Sequence, residues 1–94
     1  MNLHELTGFE SGVVVFKESG EAYIANWSGF EGIPRKFANA LFGLDNGNDI
    51  QETENDEFDD IAVEIASANS PKNYTINGRY ENDEVIIITF KGWE

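Results

Sequence analysis

The sequence predicts an α+β domain: a four-stranded antiparallel sheet in ββααββ order, with two helices on one face. Three observations carry that expectation. β-branched and aromatic runs lie toward both ends of the chain and break at short turn sequences, as hairpins do. Two central stretches space their apolar residues as a helix does. No composition shift or linker divides residues 1–94, so a single domain is expected at this length.

Residues 1–11 are weakly patterned and read as an irregular lead-in. Val13–Phe16 and Ala22–Trp27 then form a hairpin, with Ser19-Gly20 suited to the tight turn. A loop, Ser28-Gly29-Phe30-Glu31-Gly32, leads to Pro34 in the first turn of a helix. Phe37, Leu41 and Leu44 form its apolar face, with Ala38 and Phe42 at the margin. Gly43 or Gly47 ends it. Asp45–Asn55 is polar apart from Ile50 and reads as a surface loop. A second helix is expected from Glu57 to Asn69, capped by Thr53 or Asp56 and stopped by Ser70-Pro71. Phe58, Ile61, Ala62 and Ile65 share its inner side. The final hairpin lies within Asn73–Lys91. Its turn falls at Glu81–Glu84 or at Asn77-Gly78, and the first choice leaves matched strands with Gly78 as a bulge or close-approach site. The unbroken Val85–Ile88 run implies a central strand or burial on both faces.

Charge is the main functional signal. Net charge is −12, and the sequence pI is about 4.2. A magnitude of roughly 2–8 suffices for solubility of a small domain. The surplus disfavours direct binding to nucleic acid or an anionic membrane and favours a cationic partner. Asp45–Glu64 holds nine of the eighteen acids and no Lys or Arg. They are Asp45, Asp49, Glu52, Glu54, Asp56, Glu57, Asp59, Asp60 and Glu64. A solvated loop and an outer helix face would account for many acidic runs. Here the acids are not interleaved with bases, and Asp56, Asp60 and Glu64 recur every four residues. Four helical residues rise about 6 Å, similar to the separation of successive phosphates on one strand, which is of the order of twice the 3.4 Å axial rise. Such a row could occupy Lys and Arg sites that normally hold phosphates.

The run DNGNDIQETENDEFDD, with Glu81, Asp83 and Glu84, resembles the small, acidic, Cys-free inhibitors that phages deploy against host nucleic-acid enzymes: anti-restriction and anti-CRISPR proteins and uracil-glycosylase inhibitors. The likeness covers composition and the central third of the chain, so no residue role carries over. It implies occupation of a DNA- or RNA-binding groove, and hence a partner that is a nucleic-acid-binding enzyme or defence complex. Phe30 between glycines and Trp93 in the tail are the candidate aromatic anchors. Aromatics and hairpin edges also suit a second class, a toxin-neutralising or regulatory module whose binding ignores salt.

Other classes find little support. With no Cys, disulfides and thiolate metal sites are excluded. Counted from Asp45, a calcium loop fails at Gly47 and Ile50, and Asp56 stands where Glu belongs. His4 belongs to no metal motif. There is no nucleophile elbow, P-loop or dinucleotide fingerprint, so neither an enzyme nor a cofactor is expected. No apolar run approaches the roughly 20 residues of a membrane span, and the amino end has no secretory pattern. The expectation is a cytoplasmic protein, monomer or homodimer.

Overall fold

The computed structural model describes residues 11–26, 32–45, 50–69 and 73–92. The elements are strand β1 (Ser11–Phe16), strand β2 (Ala22–Asn26), a 3-10 turn (Arg35–Phe37) running into helix α1 (Ala38–Asp45), strand β3 (Gln51–Glu52), helix α2 (Asp59–Ala68), strand β4 (Thr75–Glu81) and strand β5 (Val85–Lys91). They form one antiparallel sheet in the order β2-β1-β5-β4-β3.

The α+β class and both hairpins stand as expected, with two corrections. The sheet has five strands, because Gln51–Glu52 pairs with Tyr80 and Glu81. Two exposed polar residues carry no alternation, so that strand left no trace in the sequence. The helices also cover opposite faces, not one. Val14, Phe16, Val85 and Ile87 pack with Leu41 and Leu44 of α1. Val13, Val15, Ile86, Ile88 and Phe90 pack with Ala62 and Ala66 of α2. Period-2 alternation divides β1 and β5 between two apolar layers. This is why every residue from Val85 to Phe90 is buried. On the α1 side, the Phe16 and Phe37 rings stack at 3.8 Å and 15°.

Local readings are refined as well. Pro34 precedes the 3-10 turn in extended conformation rather than sitting inside the first helical turn. α1 passes through Gly43, and Gly47 lies outside the described residues. α2 starts after Phe58 without a side-chain cap, so neither Thr53 nor Asp56 caps it. Those polar groups shape the preceding turns: Thr53 Oγ1 accepts from Asn55 N–H at 3.1 Å, and Asn55 Oδ1 from Glu57 N–H at 3.0 Å. The last hairpin turns at Asn82, whose Oδ1 accepts from Glu84 and Val85 N–H groups at 2.8 and 2.9 Å.

Gly78 lies at the expected bulge. The register slips between Ile76, opposite Phe90, and Gly78, opposite Thr89. The extra residue moves the rest of β4 by one face. Ile76 packs on the α2 side, whereas Tyr80 is buried on the α1 side, although unbroken alternation would put both on one face. By the same shift Arg79 and Glu81 face the α2 side, opposite Ile88 and Ile86.

Candidate interaction surface

Helices on opposite faces require the chain between them to round an edge of the sheet. Residues 50–58 do this at the β4 edge. Ile50 is buried in the α1-side layer and Phe58 in the α2-side layer. Between these apolar anchors β3 pairs with β4, and Thr53 N–H donates to Arg79 C=O at 3.0 Å. The middle of the acidic stretch is therefore a strap fixed at both ends and laid along an edge, not a free loop. It also covers backbone groups that an open edge would present.

Two polar clamps hold the strap on its α2 side. Glu81 accepts from Thr53 Oγ1 at 2.6 Å, Lys17 Nζ at 3.0 Å and Asn55 Nδ2 at 3.4 Å. The Thr53 and Lys17 hydrogen bonds hold the Glu81 carboxyl below the usual glutamate range. Lys17 Nζ also donates to Asn82 C=O at 3.1 Å. Further along, Arg79 grips Asp59 with Nε–Oδ1 at 2.8 Å and a second guanidinium nitrogen on Oδ2 at 2.5 Å. That bidentate pair, about a quarter exposed on each side, raises the Arg79 guanidinium further.

The acids thus divide into two sets. Asp59 and Glu81 are consumed in the clamps. Glu21, on the α1 side, is held by the Tyr23 hydroxyl and by Lys36 at 3.0 Å, and these hydrogen bonds lower the pKa of its carboxyl. Glu52, Glu54, Asp56, Glu57, Asp60 and Glu64 are exposed, and no ion pair to them occurs among the described residues. Asp60 and Glu64 lie one helical turn apart on α2, away from Phe58 and Ala62. Asp56 does not extend their row as a helical residue. It precedes α2, and its carbonyl accepts from Asp59 N–H in the entering turn. The four-residue pitch therefore belongs to Asp60 and Glu64 alone.

The other expected site residues fall outside this description. The Asp45 side chain, Asp49, Phe30 and Trp93 lie beyond the described residues. Of the further acids, Asp83 and Glu84 are exposed at the β4–β5 turn, where a shallow groove is lined by Lys17, Gln51, Glu52, Glu81, Asn82 and Asp83. Exposed carboxylates thus run from that turn along the strap to the outer side of α2.

Sequence reasoning missed the α1 side of the same edge. Glu52, Thr53, Glu54, Asn77, Gly78, Arg79 and Tyr80 line an open groove of about 500 Å³, with the Arg79 guanidinium turned to the other face and held by Asp59. Glu52 lies directly opposite Tyr80 across β3 and β4. Tyr80 is 7% exposed, and its hydroxyl has no hydrogen bond among the described residues. Burial, and then the Glu52 charge, raise its pKa and keep the hydroxyl protonated. Gly78 was legible as a bulge or close-approach site; that the group approaching it is the Tyr80 side chain needed the fold.

Among the described residues, no three His, Asp or Glu side chains gather as a metal site would need. No helix among them is long and apolar enough to cross a membrane. No protein-family model, curated protein or solved structure matches the chain.

Proposed function

We propose that this chain is an acidic inhibitor that docks on the basic nucleic-acid-binding groove of an enzyme or defence complex and occupies it as a DNA or RNA mimic, in the anti-restriction or anti-CRISPR manner. One observation carries the reading: six carboxylates between Glu52 and Glu64 remain exposed and free of ion pairs among the described residues, on a strap and helix clamped to the sheet. Rigidity matters because carboxylates already in place lose little entropy when a partner's Lys and Arg side chains meet them. The partner gains the attraction it has for phosphate, and counterions are released. The protein performs no chemistry in this role and needs no cofactor. Its partner is a basic protein surface, not nucleic acid or membrane.

The test is capture from a cell lysate at low salt by the full chain and by the double variant Asp60→Lys, Glu64→Lys. The wild type should retain a nucleic-acid-binding protein and inhibit its activity, and the double variant should do neither. Equal capture and inhibition by both would remove the mimic reading. Capture indifferent to salt would favour a regulatory or toxin-neutralising contact instead.

A further inference from the structure

We infer that the groove on the α1 side of the β3–β4 edge is a slot for one arginine side chain of the partner, with Glu52 and Glu54 facing its guanidinium and the Tyr80 hydroxyl at its floor. This deepens the reading above, since it names the residue type that the acidic edge accepts. Three features meet there.

The first is chemistry. Glu52 and Glu54 are exposed acceptors on the groove wall, and Asn77 adds an amide at the rim. A carboxylate offers the bidentate geometry that a planar guanidinium fits and a compact ammonium does not.

The second is the hydroxyl of an otherwise buried tyrosine. A tyrosine hydroxyl both donates and accepts. Burial of polar groups normally comes with a partner. Tyr80 is more than nine-tenths buried and has none among the described residues, yet it lines the groove. Its lone pairs can accept an N–H from a guanidinium edge already turned toward Glu52.

The third is shape. A Cβ placed on Gly78 would come within 3.2 Å of the Tyr80 hydroxyl and ring and 3.4 Å of Thr89 Oγ1. The glycine therefore leaves the hydroxyl open to the groove on that side. Thr89 is buried and donates to Gly78 C=O at 3.3 Å, so the floor is tied across β4 and β5. A flat group fits a slot between a glycine backbone and a strand of carboxylates better than a bulky one does.

The experiment is an amide NMR titration of the full chain at low salt with N-acetylarginine amide, and separately with N-acetyllysine amide. Saturable shifts should centre on Glu52, Glu54, Gly78 and Tyr80, and arginine should bind more tightly than lysine. The Tyr80→Phe variant keeps the ring in the core and should lose about three- to tenfold of the arginine affinity, the worth of one hydrogen bond. Unchanged circular dichroism and melting temperature would show that its fold persists. Gly78→Ala should weaken arginine in the same sense. Shifts spread equally over all exposed acids, equal binding of the two probes, or unchanged affinity in Tyr80→Phe would each overturn the slot. Failure here is distinct from failure of the mimic. If the probes show no site but lysate capture still depends on Asp60 and Glu64, mimicry stands without the slot. If arginine binds at the slot while capture ignores Asp60 and Glu64, the slot stands without mimicry.

Discussion

The two helices use the sheet alike and meet solvent differently. Each buries an apolar stripe on one face, Leu41 and Leu44 in α1 and Ala62 and Ala66 in α2. The exposed residues described on α1 are Ala38, Asn39 and Phe42, none of them charged, and Arg35 and Lys36 lead into it. α2 instead presents Asp60 and Glu64 and carries no base. Among the described residues, the exposed acids of the two helices thus lie on α2 and not on α1. The few bases near the sheet are spent on holding it: Lys17 and Arg79 lock the acidic strap, and Lys36 holds Glu21. Concentrated charge of one sign on a fixed edge is the arrangement a cationic groove can read.

The comparison can be broken at the core first. Ile87 belongs to the α1 layer and Ile88 to the α2 layer, both fully buried. Ile87→Ala and Ile88→Ala should each cost about 2–5 kcal/mol in chemical unfolding. Comparable losses support two true apolar layers; a negligible loss at either site would remove one of them.

The clamp comes next. Asp59→Asn removes the charge that Arg79 grips and should cost about 1–3 kcal/mol. Amide hydrogen exchange should quicken in residues 51–58 and not in α1. A uniform change would mean that the strap is not a separately held unit.

Acidification probes the second clamp. The Glu81 carboxyl lies lower in the folded state than in the unfolded chain, because Thr53 and Lys17 favour its charged form. Its contribution is complete above the ordinary glutamate value of about 4.3 and is lost as pH falls through the folded value. Glu81→Gln should flatten the acid limb of a stability profile. An unchanged limb would assign acid lability to other carboxylates.

The smallest stability effect should accompany the largest functional one. Asp60→Lys with Glu64→Lys should change folding free energy by no more than about 0.5 kcal/mol per site, as exposed positions do, while abolishing partner capture. Ala38→Lys with Asn39→Lys on α1 should leave capture intact. Equal loss from both pairs would show that total charge, not its location, governs binding.

Local features of the fold were legible. Ser19-Gly20 marks a turn in which Gly20 takes φ 73°, and the Ile run of β5 announces burial on both faces. Global placement was not. Nothing in Ile50 or Phe58 taken singly states that they anchor opposite layers; that follows from the strap rounding the edge. The acids were legible as a group but not their division. Asp59 and Asp60 are neighbours in sequence, yet helix geometry turns one toward Arg79 and the other to solvent. The face of Tyr80 was not legible, because the bulge at Gly78 resets the alternation.

The most direct test of a carboxylate surface standing in for phosphates is competition. Partner captured by the full chain should be displaced by duplex or single-stranded nucleic acid in proportion to its concentration, and capture should weaken steeply between about 50 and 200 mM salt. A partner that binds this chain and nucleic acid together, with little change across that salt range, would contradict the account.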